Sequence, residues 1–152
     1  MSNNQNMSYY VGAIIASLIG GILLLATDFG GWYNYNYYAG VRSWGCVGAG
    51  DFPFNLLFII TAFCLFYCTI ISFMALKNVD NPPTKKSIRL GIMLSLIVFI
   101  LALIGGIVFI LTLEGPTDWW LGEAFYGGLI GGLLTAVFLY FAYKNKSIVK
   151  TS

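Results

Sequence analysis

The chain has 152 residues, of which 59% are hydrophobic and 9% charged, with a formal net charge of +2 and a mean hydropathy of +0.81. So few polar side chains cannot cover the surface of a water-soluble domain, and the length fits a single domain, 1–152. The positive balance is a sum of separate clusters in short segments beside apolar runs, not the interleaved basic patch of a nucleic-acid-binding protein.

The polar segment from Met1 to Met7 contains no Lys or Arg. It lacks the basic leader of a cleavable signal peptide, so the apolar run that starts near Tyr9 is expected to be a retained membrane helix. Crossing about 30 Å of hydrocarbon takes roughly 20 apolar residues at helical rise. Four segments meet that length, at about 9–27, 53–76, 88–113 and 120–143. Each is expected to be helical, because lipid offers the backbone no hydrogen-bond partner. Asp51 and Pro53 form a start signal for the second helix, Asn81-Pro82-Pro83-Thr84 breaks the chain before the third, and Gly115-Pro116-Thr117-Asp118 does so before the fourth, with Asp118 as its cap. The expected fold is an all-α membrane protein, a four-transmembrane-helix bundle.

Charge gives the bundle a direction. Lys77, Lys85, Lys86 and Arg89 surround the link between the second and third spans, and Lys144, Lys146 and Lys150 follow the fourth. The positive-inside rule places these segments, and with them both termini, in the cytoplasm. The outer loops, about 28–52 and 114–119, hold Asp28, Asp51, Glu114 and Asp118; Glu123 lies just beyond, and Arg42 is the only base there and a candidate partner for Glu123. All four tryptophans, Trp32, Trp44, Trp119 and Trp120, fall on that outer side, where interfacial anchors belong.

The first outer loop carries the most distinctive side chains. In Trp32-Tyr33-Asn34-Tyr35-Asn36-Tyr37-Tyr38, tyrosine alternates with asparagine at the two-residue period of a strand. Ala39-Gly40 supplies a turn, and Val41 to Val47 a return strand, giving a small extracellular β-hairpin. Tyr and Asn together make adaptable contact surfaces, so Trp32, Tyr33, Tyr35, Tyr37 and Trp44 are candidate partner-binding residues. An aromatic belt resting on lipid headgroups is the competing explanation.

Helices in lipid associate through close backbone packing, which needs small residues in rows. Gly12, Ala16 and Gly20 form one on the first helix; Ser87, Gly91 and Ser95, then Ala102 and Gly106, on the third; Ala124, Gly128, Gly132 and Ala136 on the fourth. Gly127, Gly131 and Thr135 widen the last row. Thr61, Cys64, Cys68 and Ser72 follow helical spacing on the second helix. Leu18-Ile19-Gly20-Gly21-Ile22 recurs as Leu103-Ile104-Gly105-Gly106-Ile107, and a third copy, Leu129-Ile130-Gly131-Gly132-Leu133, runs the opposite way. These copies reflect either a duplicated hairpin or the commonness of Leu, Ile and Gly in membrane helices.

Signals for chemistry are few. No ionisable residue of the Asp, Glu, Lys, Arg or His types stands mid-span, where pumps and ion-coupled transporters keep them, and the chain has no histidine. The three cysteines, Cys46, Cys64 and Cys68, cannot all pair within one chain. Cys64 and Cys68 share a helix face where thiolates with Met74 or Met93 suit Cu(I), but small packing residues fit that position as well. No catalytic, cofactor or metal residue is assigned.

Four spans with both termini inside, a longer first outer loop and Trp32, Trp44 and Cys46 after the first span resemble the claudin-like tetraspan superfamily. The Gly-Leu pair of that family's loop motif is absent, as is a second outer cysteine, so the resemblance implies architecture and not paracellular sealing or pore formation. The expected role is non-enzymatic: a claudin-like organising or adhesion element, or an accessory subunit of a membrane complex. Its expected partners are the lipid bilayer and other membrane proteins or further copies of itself. The alternative is a channel or facilitator for a small neutral solute lined by Thr61, Ser72, Ser95 and Thr135. Epitope tags added at both ends should be inaccessible to antibody on intact cells, and a tag inserted after Leu113 accessible; tags found on opposite sides would overturn the orientation.

Overall fold

A computed structural model describes residues 2–34, 41–45, 54–77, 83–113 and 117–144, with side chains of 2–6, 33–34, 41–43, 54 and 117 outside the description. Helix α1 runs Ser2–Ala26, α2 Phe54–Leu76, α3 Lys85–Leu111 and α4 Glu123–Lys144. All four contain stretches long and apolar enough to cross a membrane. In space each packs against its neighbour in sequence, and α4 closes the ring against α1.

The strands are β1 (Asp28–Asn34), β2 (Val41–Gly45) and β3 (Thr117–Leu121), in one antiparallel sheet ordered β2-β1-β3. The hairpin begins earlier than the Tyr/Asn alternation indicates, and its turn at Ala39-Gly40 lies outside the described residues. β3 corrects the expected start of the fourth span. Residues 120–121 belong to a strand paired with β1, and the helix begins at Glu123 after Gly122, with no side-chain cap. Asp118 is therefore not a helix cap; it stands opposite Tyr33 in the ladder. Glu123 takes over the N-terminal role, an exposed carboxylate in the first turn, where the helix dipole favours negative charge.

α1 and α3 both start before the expected positions. For α3 the reason is local: the Thr84 hydroxyl accepts the Ser87 backbone N–H at 3.2 Å, capping the helix one residue after Pro83. The Asp51 and Pro53 signal for α2 lies outside the described residues.

The buried positions of α3 are Ile88, Gly91, Ser95, Val98, Ala102, Gly106 and Phe109. Their three- and four-residue spacing is that of a bundle seam. Large apolar side chains on the opposite faces, such as Ile19, Phe63, Ile107 and Ile130, are exposed to the surroundings, which suits lipid.

Glycine creates the approach of the helices. A methyl group at Gly131 would stand 2.9 Å from the Cα of Gly20, and one at Gly20 would stand 2.7 Å from the carbonyl oxygen of Gly127. On the other side of α4, a methyl at Gly132 would meet Phe99 N and Ser95 O of α3, each at 2.9 Å, and one at Gly128 would meet Ala102 Cβ at 3.0 Å. Elsewhere the glycines receive rings: Phe138 lies over Gly12, Phe66 over Gly21, Phe29 over Gly105 and Phe125 over Gly106. Ile71 and Leu139 fill the notch at Gly91.

The Gly-Gly pairs of the three Leu-Ile-Gly-Gly copies share one geometry. Adjacent helical residues point about 100° apart, so a pair at the corner of a four-helix ring offers notches to two neighbours. Gly20 meets α4 while Gly21 meets α2; Gly105 meets β1 while Gly106 meets α4; Gly131 meets α1 while Gly132 meets α3. Within α4 the helix widens into a π turn, Gly127–Gly131. A turn closed by i→i+5 bonds holds more residues than an α turn. Positions four apart therefore align better along the axis, keeping Gly127 and Gly131 toward α1, and Gly128 and Gly132 toward α3.

Polar groups of the interior are few and short. The hydroxyls of Ser17 and Thr69 join α1 to α2 at 2.7 Å, and the carbonyl oxygen of Gly91 on α3 accepts from Cys68 Sγ at 3.3 Å and Ser95 Oγ at 2.9 Å. At the basic end, Arg89 Nη2 donates to Tyr143 Oη at 3.2 Å. Gly132→Ala should lower the thermal midpoint in detergent by the equivalent of about 1–3 kcal/mol, since helix backbone cannot give way as a side chain can. Gly21→Ala, facing only a ring, should cost less, and Ile130→Leu on the lipid face should leave the midpoint unchanged.

Candidate interaction site at the sheet cap

The sheet is held onto the bundle by aromatic rings. Phe29 of β1 is buried against Phe58 of α2 and Phe125 of α4, with ring centroids at 5.1 and 5.5 Å. Phe109, fully buried near the end of α3, receives Trp32 of β1 at 5.8 Å and Trp44 of β2 at 5.3 Å, both edge to face. Gly30 lets β1 approach this ring: a methyl there would stand 2.9 Å from Phe109 Cζ. The ladder continues into α4, since Gly122 N donates to Phe29 O at 2.9 Å.

Strand pairing decides which side of the sheet each tryptophan takes, because directly opposed residues share a face. Trp44 pairs with Gly30 and Trp119 with Trp32, which puts both on the bundle side. Trp44 and Trp32 are partly buried there, while Trp119, on the edge strand β3, stays 45% exposed. Trp120 pairs with Gly31 on the opposite side, where its indole occupies the space a Gly31 side chain would need. Trp120 is 41% exposed on the face turned away from the helices.

Of the loop residues singled out from the sequence, Trp32 and Trp44 are thus brought together over Phe109 and dock the sheet. Tyr33 lies in β1 with its side chain outside the description, and Tyr35 and Tyr37 lie outside the described residues, as does Cys46. Arg42 pairs with Trp32 through its backbone, and its side chain is likewise not described. Sequence reasoning did not single out Trp120 as a contact residue, nor Phe29, Phe109 and Phe125 as the sheet's foundation. The signal for β3 was present: Thr-Asp-Trp-Trp-Leu is rich in strand-favouring residues and bounded by Gly115-Pro116 and Gly122.

Beneath the sheet, between α2 and α3, lies a cavity of about 160 Å³ lined almost wholly by apolar groups, among them Phe29, Trp44, Phe58, Val98 and Ala102. Among the described residues no three His, Cys, Asp or Glu side chains converge as a metal site. Cys68 is buried and unpaired, and its thiol donates to Gly91 O.

No protein-family model matches the chain, and no curated protein or solved structure is significantly similar to it. What it can do is therefore read from the site itself. Phe109→Ala removes the ring on which Trp32 and Trp44 rest. It should destabilise the protein by about 3 kcal/mol, the low end for a buried Phe→Ala change, and shift tryptophan emission to the red. Ile107→Ala on the lipid face of the same helix should do neither.

Proposed function

We propose that this four-span integral membrane protein acts by contact, as a claudin-like organising element or an accessory subunit, and that it is not an enzyme. The observation that carries the reading is Trp120. A large indole stands half-exposed on a sheet face turned away from the bundle, so neither the helix core nor the hydrocarbon accounts for it. Its backbone is pinned on one side by β1 and followed directly by α4, which limits the entropy lost when a partner orders it. Tryptophan is the residue type most enriched among the energetic centres of interfaces. Trp119, on the bundle side of the edge strand β3, is the natural headgroup anchor.

The sequence proposes Trp32, Tyr33, Tyr35, Tyr37 and Trp44 of the first loop as the contact surface; we centre it on Trp120 of β3 instead, because Trp32 and Trp44 rest on Phe109. The rival facilitator reading gains less. Of its four candidate lining residues, Thr61, Ser72 and Ser95 donate their hydroxyls to carbonyls of their own helices. Only the buried Thr135 hydroxyl lacks a hydrogen-bond partner among the described residues.

Purified from its native membrane in mild detergent, the protein should co-elute with a stoichiometric membrane partner or a further copy of itself. Trp120→Ser should lose that partner with its thermal midpoint unchanged, while Trp119→Ser should keep it. Retention of the partner by Trp120→Ser would overturn the reading, as would flux of small neutral solutes through liposomes containing the pure protein.

A further inference from the structure

The cavity under the sheet is a slot along α3, and its chemistry defines an occupant. On α3 its lining residues are Val98, Leu101, Ala102, Ile104, Gly105 and Val108, on adjoining helical positions. At 1.5 Å per residue they extend about 15 Å along the helix. Phe29 and Trp44 close the sheet end, and Phe58 and Thr61 of α2 form the opposite wall. The small residues Ala102, Gly105 and Gly128 are part of its lining.

The mouth opens sideways. Leu57 on α2 and Ile104 and Val108 on α3 line the slot and are 38%, 51% and 38% exposed, whereas Phe29, Phe58, Val98 and Ala102 at its back are buried. These exposed residues lie within the two membrane-crossing helices, so the medium at the mouth is hydrocarbon. Water is not a suitable occupant. The volume of about 160 Å³ far exceeds the roughly 10–15 Å³ one water needs, but each water also needs two to four polar partners. The one hydroxyl proton of Thr61 is already shared between Leu57 O and Phe58 O, both at 2.9 Å, which leaves its oxygen able only to accept.

We propose that this slot holds one acyl chain of a bilayer lipid from the leaflet on the sheet side, entering between α2 and α3. The slot runs about 15 Å along α3, which suits a linear chain lying along the membrane normal more than a fused-ring lipid. Among the described residues no charged one lines it, so selection rests on the chain and not the headgroup. A chain in place fills the contact surface between Trp44 and the two helices, coupling the seating of the sheet to lipid. The inference does not depend on the contact role of Trp120.

The test is native mass spectrometry of the full chain after reconstitution in phosphatidylcholine vesicles, extraction and detergent exchange. Wild type should retain one phosphatidylcholine. Val108→Phe and Leu57→Phe, which place rings in the mouth from opposite walls, should each lose it with thermal midpoints at or above wild type. Ile107→Phe, on the lipid face of α3 and outside the slot, should retain it. Phosphatidylglycerol vesicles should give the same occupancy. Loss of the lipid from wild type as readily as from Val108→Phe, equal retention by both mouth variants, or displacement by a sterol but not by a second phospholipid would overturn the proposal.

Discussion

Hydrocarbon gives helices no reason to associate by hiding apolar surface, because the solvent is itself apolar. What remains is the quality of contact, and dispersion falls off steeply with any gap. The protein meets this constraint by removing side chains where backbones cross and by seating rings where they do not. Gly20, Gly127 and Gly131 bring α1 onto α4, Gly132 brings α4 onto α3, and Phe66, Phe125 and Phe138 fill the notches left on their neighbours. Two consecutive helical residues face different directions, so a Gly-Gly pair admits two neighbours at once: two helices at Gly20-Gly21 and at Gly131-Gly132, a strand and a helix at Gly105-Gly106. This account holds whether or not the copies descend from a duplicated hairpin.

The same economy governs the sheet. A three-stranded ribbon has little core of its own, and this one borrows its core from the helix ends through Phe58, Phe109 and Phe125. The four tryptophans, indistinguishable as anchors in the sequence, are divided by strand pairing into different tasks. Trp32 and Trp44 are footings, Trp119 sits at the edge, and Trp120 alone of the described tryptophans is placed on the far face.

The spans were legible because the requirement for about 20 apolar residues is severe and few sequences meet it by accident. The hairpin was legible from alternation, although its first strand starts at Asp28, where Phe29-Gly30-Gly31 shows no alternation and is chosen by the rings it must admit. β3 was hidden because its partner lies far away in sequence and its Trp119-Trp120-Leu121 reads equally well as the first turn of a membrane helix. The π turn was hidden too, since a run of glycines reveals small size and not hydrogen-bond register. Spacing alone showed the rows of small residues, but not which neighbour each row would face. The slot beneath the sheet arises from residues of six elements, α1, β1, β2, α2, α3 and α4, and no window of sequence contains it.

The pairing of β1 with β3 has a consequence for how the chain is made. Segments enter the bilayer in the order of synthesis, and β1 emerges after the first of them, yet its second neighbour lies beyond the third. While the ribosome completes the middle of the polypeptide, one margin of that central strand stands open, with its peptide groups answered by water or by whatever assists insertion. The lid of the bundle closes only when Thr117–Leu121 arrives, after three of the four crossings have been made and just before the last one, α4, begins at Glu123.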